Sequence, residues 1–254
     1  MVEQSISLRE YPQIIELLAV LEQNGLVKER DEVSSLVEYI GSMEDKISQM
    51  MGELQQMHGE VKQIQDKGLS ARCTRLLDTA QEKVTQTGEM VSTVKNNFVR
   101  AAGTAVKTFK EKGCAALVQA VRAMKIPVVL SKMENAFHAV AQSMQDAGKQ
   151  VDTKREQLHE AGGHLKNVGR ALSGKAAKEI VPLDSDKGIL AKVRSFFERM
   201  ENTFSAMGDR AGELADKFQS GRDEKKASVK TELHALKSRK SAKKSASALT
   251  EQVR

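Results

Sequence analysis

The chain has 254 residues, enough for one or two domains, with a formal net charge of +6, 29% charged residues and 4% aromatic ones. It has no Trp, two Tyr and three Pro, and is rich in Ala, Gln, Glu, Lys, Met and Val; this is a makeup of long helices with narrow apolar stripes, not of a compact α/β enzyme. The fold class expected is therefore all-α and elongated: long coiled-coil helices forming an antiparallel hairpin or loose helical bundle, followed by a disordered basic C-terminal tail.

Charge divides unevenly along the chain. Residues 1–66 carry 5 basic and 13 acidic groups, residues 67–126 carry 11 and 4, and residues 221–254 carry 10 and 4. The first 220 residues sum to zero, so the whole excess sits in the tail. Cys73 and Cys114 have no metal-ligand neighbours, and a reducing, cytoplasmic setting without disulfides is expected. No basic segment precedes an apolar core at the start, so no secretory signal is expected. The most apolar run, Ala115 to Leu130, contains Arg122, Lys125 and Pro127, and reads as too short and too charged to span a bilayer.

Six segments follow in order: a short helical segment (1–27), a coiled-coil hairpin (28–112), a short helix with a break at Pro127 and a third long helix (113–172), a linker (173–187), a fourth amphipathic helix (188–220) and a basic low-complexity tail (221–254). In the first, Tyr11 to Gln23 carries Ile14, Ile15, Leu17, Leu18 and Leu21 on one face, and Asn24-Gly25 closes it. The clearest pattern comes next. Val33, Leu36, Ile40, Met43, Ile47, Met50, Leu54, Met57, Val61 and Ile64 alternate at spacings of three and four, with no polar residue at a or d. Such a stripe is a packing seam rather than a cofactor groove. Lys67-Gly68-Leu69-Ser70 interrupts it, with Gly68 suited to close one helix and Ser70 to cap the next. A second stripe from Leu77 to Ala105 is out of phase with the first, which favours a hairpin over one continuous rod. The acidic first helix and basic second helix bias that pairing.

Lys112-Gly113 marks a further turn, and Pro127 places a boundary just before itself. The third stripe runs Leu130, Met133, Phe137, Val140, Met144, Ala147, Val151, then Leu158, Ala161, Leu165, Val168 and Leu172, broken at Lys154 and loosened at Gly162-Gly163. The fourth runs from Leu190 through Phe197, Phe204 and Ala211 to Phe218.

Two near-motifs overlap at residues 159–175. Gly169 to Lys175 spells G-x-x-x-x-G-K, but a helical stripe precedes it where a phosphate loop needs a strand, and Ala176 stands where Ser or Thr would hold magnesium. His159 and His164 are five residues apart, about 140° around a helix, so they diverge where i, i+4 ligands converge. Gly174 reads as a helix cap. No catalytic residue, cofactor, metal ligand or small-molecule substrate is expected.

The stretches AGGHLKNVGRALSGK (161–175), FKEKGCAAL (109–117) and LLAVLEQNGL (17–26) resemble an uncharacterised helical protein family of gut Gram-positive bacteria, often encoded in conjugative or integrative mobile elements. The resemblance reaches to about residue 220 and implies an element-encoded accessory protein; it transfers no functional residues. The expected function is a non-enzymatic coiled-coil interaction or scaffold protein, with a protein partner or self-association through the coiled coil. The alternative is an accessory protein that binds nucleic acid without sequence preference through Arg222, Lys225, Lys226, Lys230, Lys237, Arg239, Lys240, Lys243 and Lys244, where phosphate neutralisation would make binding salt-dependent. An anionic membrane surface is a third destination for that tail.

Overall fold

In the computed structural model, the described residues are 7–180 and 188–250, with side chains described as far as 220. After a short 3-10 turn, Leu8–Glu10, the described residues form six helices: α1 Pro12–Gln23, α2 Val27–Lys62, α3 Lys67–Lys112, α4 Cys114–Ala123, α5 Ile126–Leu172 and α6 Ile189–Thr250. There is no strand among the described residues, and the all-α expectation holds.

Cross-helix pairs give the directions. Glu44 meets Lys95 and His58 lies near Asp78, so α2 and α3 are antiparallel. Asp152 meets Arg194 and Gln145 meets Glu201, so α5 and α6 are antiparallel too. Glu53 with Arg199 and Glu60 with Lys192 set α2 antiparallel to α6. The result is an up-down bundle of α2, α3, α5 and α6, the arrangement favoured when amphipathic helices are joined by short connections. Lys110 paired with Glu16 places α1 on α3, at the end of the bundle away from the hairpin turn. The acidic face of α2 is thus shared between two neighbours: Glu44 faces α3, while Glu53 and Glu60 face α6.

The hairpin turn falls earlier than the Gly68–Ser70 break expected. α2 ends at Lys62, and Asp66 caps α3 by accepting from the Leu69 N–H at 3.0 Å. Aspartate is as good an N-cap as serine, and it precedes Gly68, which lies inside the first turn. Ser70 instead donates to the Val61 carbonyl at 3.0 Å and ties the two helix ends together. The next boundary falls where Pro127 predicts it. Lys125 turns the chain in the left-handed region (φ 50°), and Pro127 sits in the first turn of α5, where its missing N–H has no intrahelical acceptor to lose.

The core follows the stripes. Nine of the ten residues of the first seam, Val33 through Val61, are buried, and Ile64 is half-buried. α5 and α6 share the most extensive packing: Phe137, Phe196, Phe197 and Phe204 are fully buried, with the Phe137 and Phe204 rings 6.4 Å apart. Glycines let these two helices close. A Cβ on Gly208 would stand 2.8 Å from the His138 ring, and one on Gly212 would stand 2.6 Å from the Glu134 carboxylate.

The backbone of α6 continues through the basic segment as far as Thr250. The basic side chains from Arg222 to Lys244 and residues 251–254 lie outside the described residues. Cys114–Leu172 holds an 18-residue window of mean hydropathy 1.5, apolar enough by composition to cross a membrane, whereas Ala115 to Leu130 reads as too charged to do so. The left-handed Lys125 interrupts that span, and 28% of the window is buried inside the protein.

Candidate interaction surface on the projecting end of α5

The hairpin turn sets the level at which the bundle ends. Asp66, Gly68 and Leu69 lie beside Lys154, Gln157 and Leu158 around one small groove. α6 begins at the same level, with Arg194 on Asp152. α5 runs on to Leu172, about 21 Å further at 1.5 Å per residue. Its apolar stripe runs on with it but loses its cover: Leu158 is 43% exposed, Leu165 73%, Val168 54% and Leu172 85%. Four of the seven exposed large hydrophobic residues among the described ones therefore lie on this one helix end. Isolated exposed apolar residues are ordinary, but a run of them on one helix face marks a contact surface.

The opposite side of this projection is covered by the chain itself. α5 ends in a Schellman turn: Gly174 (φ 68°) donates to Ala171 O and Lys175 donates to Arg170 O. The chain then reverses, and residues 175–180 run back along the helix as a strap. Asn167 grips it from both sides, donating to the Lys178 carbonyl at 2.7 Å and accepting from the Lys178 N–H at 2.8 Å. Arg170 donates to the Ala176 carbonyl at 2.7 Å. Ile180 lies against Gly163, where a Cβ would come within 2.8 Å of it. Gly163 thus makes room for the strap while α5 remains helical through it, whereas a Cβ on Gly162 would meet open space.

The near-motifs resolve in this geometry. Gly169 to Lys175 is a helix C-terminus and reversal, so its backbone presents carbonyls where a phosphate loop presents N–H groups. His159, Lys166, Arg170, Lys175, Lys178 and Glu179 line a cleft of about 760 Å³ between strap and helix, whose charge is mostly positive. A second groove, of about 530 Å³, lies between α3 and α5. Leu69, Cys73, Leu76, Val151 and Leu190 form its apolar part, and Arg72, Arg75, Lys149 and Lys154 its basic part. Burial pushes the Cys73 thiol above its ordinary pKa, which makes it a poor nucleophile. No group of three or more His, Cys, Asp or Glu among the described residues is placed to hold a metal ion.

The structure brings the first-seam residues Val33 to Val61 together inside the bundle, so a partner reaching them has to displace α3 or α6 from them. It does not describe the tail side chains named as nucleic-acid contacts. Reading the stripes alone missed that the last third of the α5 stripe is bare. The available signal was a comparison of lengths: a stripe from Leu130 to Leu172 is longer than the 190–218 stripe that covers it.

Fold and surface together define an all-helical bundle protein with a projecting, half-covered helix end. The chain belongs to a family of unknown function (DUF6674), whose model matches residues 10–253. No curated protein and no solved structure matches it.

Proposed function

We propose that this protein is a non-enzymatic interaction or scaffold protein that contacts other protein chains through the projecting end of α5. The single observation that carries this reading is the bare continuation of a core stripe at Leu158, Leu165, Val168 and Leu172. A mobile-element setting in gut Gram-positive bacteria is part of the same proposal, supported by the sequence resemblance alone. Two unpaired cysteines, one buried and one exposed, suit a reducing cytoplasm. The test is quantitative affinity capture from the native host with tagged full-length protein, wild type against Leu165→Glu/Leu172→Glu. A protein recovered with the wild type and lost with the variant supports the reading; recovery unaffected by the variant refutes it.

A second reading rests on charge: the first 220 residues are neutral and the last 34 carry the whole +6. In this reading the tail holds duplex DNA or RNA without sequence preference. Full-length protein should then bind labelled duplex at about 50 mM salt and lose most affinity by about 200 mM. Replacing Lys237, Arg239, Lys240, Lys243 and Lys244 with Gln should abolish binding. Salt-insensitive or unchanged binding refutes it.

A further inference from the structure

We propose that the bare stripe on α5 is covered by the same stripe of a second copy, packed antiparallel, so that two bundles join end to end. This deepens the interaction reading above and rests on it. The bare stripe continues the core. Counting the Leu130 stripe in heptads places Leu158, Leu165 and Leu172 at a and Ala161 and Val168 at d, the positions that closer to Leu130 form the buried core of the bundle.

The stripe is also complementary to itself. Antiparallel pairing sets a against d. In the register centred between Lys166 and Asn167, Leu165 packs on the partner's Val168 and Leu172 packs on the partner's Ala161. Each layer matches a leucine with a smaller residue, and the two-fold axis makes every layer occur twice, as an isologous contact requires. The positions flanking the seam are Gly162 and Gly169 on one side and His164 and Ala171 on the other. None is itself a permanent charge, and the basic side chains of the strap cleft, which Gly162 and Gly169 also line, stand further out beside one flank. Glu160, Lys166 and Arg170 lie away from the seam.

Space permits the pairing. Asn167 is about 200° around the helix from Leu165, so the strap occupies the other side. The overlap of 161–172 stops short of Leu158, where the hairpin turn begins to cover the helix. The overlap is short beside the roughly 1,600 Å² of a standard interface, which puts the dimer among weak, concentration-dependent contacts.

The experiment uses the full chain in a Cys114→Ser background. Leu165→Cys and Val168→Cys proteins are oxidised separately and as a mixture, beside sedimentation equilibrium of the wild type from micromolar to near-millimolar concentration. The proposal expects the mass to climb from 27.9 kDa toward twice that value, and a disulfide dimer that forms several-fold faster in the mixture than in either protein alone. Leu165→Glu/Leu172→Glu should stay monomeric with unchanged helical content, while Val128→Glu, at an exposed apolar site elsewhere, should dimerise as the wild type does. A wild type monomeric throughout, no preference for the mixture, or equal loss with Val128→Glu overturns it. If the wild type is monomeric yet still captures a host protein that Leu165→Glu/Leu172→Glu loses, self-pairing fails and the interaction reading stands.

Discussion

Lys95 is the most consequential polar residue in the core. It is 4% exposed on α3, its ammonium lies 2.8 and 3.1 Å from the Glu44 carboxylate oxygens, and the Tyr11 ring centre is 5.6 Å away. The two partners are not equivalent, because the Glu44 side chain is 23% exposed and reaches water. Glu44→Ala therefore removes one carboxylate partner of a buried cation and should cost about 1–3 kcal/mol. Lys95→Met keeps the stem volume, leaves a carboxylate that water can solvate, and should cost about 1 kcal/mol. Urea midpoints of the two variants check that order. Tyr39 supplies a pH effect. Its hydroxyl donates to the Met207 carbonyl across the α2–α6 contact, and burial pushes its pKa well above the ordinary value of 10, against a smaller opposing pull from Arg210. A phenol harder to ionise in the folded state contributes stability fully below pH of about 10, and that contribution is lost as pH rises beyond it. Tyr39→Phe should cost about 1 kcal/mol at neutral pH, yet flatten the stability loss above pH of about 10 in alkaline denaturation curves.

At the scale of elements, periodicity carries most of the information. Stripes at spacings of three and four located α2, α3, the first part of α5 and α6, because an apolar face of that period can be buried only as a helix. Caps were harder to place: Asp66 and Ser70 are both competent N-caps, and the choice was made by the hydrogen bond from Ser70 back to Val61. Helix closeness was not legible either. Gly208 looks unfavourable in a helix interior, yet in α6 it lets the His138 ring pass. Gly208→Val gains helix propensity and meets the far end of a half-exposed His138 side chain that can turn aside, so it should cost no more than about 1 kcal/mol, and a double change with His138→Ala should remove that cost. Thermal unfolding of the single and double variants measures both. Gly163 is the related case at the other end, where the missing side chain accommodates Ile180 of the strap and the helix runs on without a hinge.

Over the whole molecule, the core that supplies stability and the proposed contact surface lie in different parts. The bundle up to Leu158 holds the buried core, and the projection beyond it holds almost none. Phe137→Ala should cost about 3–5 kcal/mol, whereas Leu165→Glu should change global stability by less than about 0.5 kcal/mol. Chemical denaturation distinguishes these, and hydrogen exchange should show 159–172 protected far less than the α5 segment before it in dilute monomer. Helical class, the order of the helices and the seam residues followed from the sequence by itself, since they depend on local period and on the glycine, proline and capping residues between stripes. Which stripe residues are covered depended on the tertiary structure. A heptad pattern states that a face is apolar, but cover depends on where neighbouring helices start and stop, and those lengths meet only in space. The α2–α3 turn and the start of α6 both fall level with Leu158, and α5 alone runs past them; that offset, invisible along any one segment, turns a core stripe into an exposed surface.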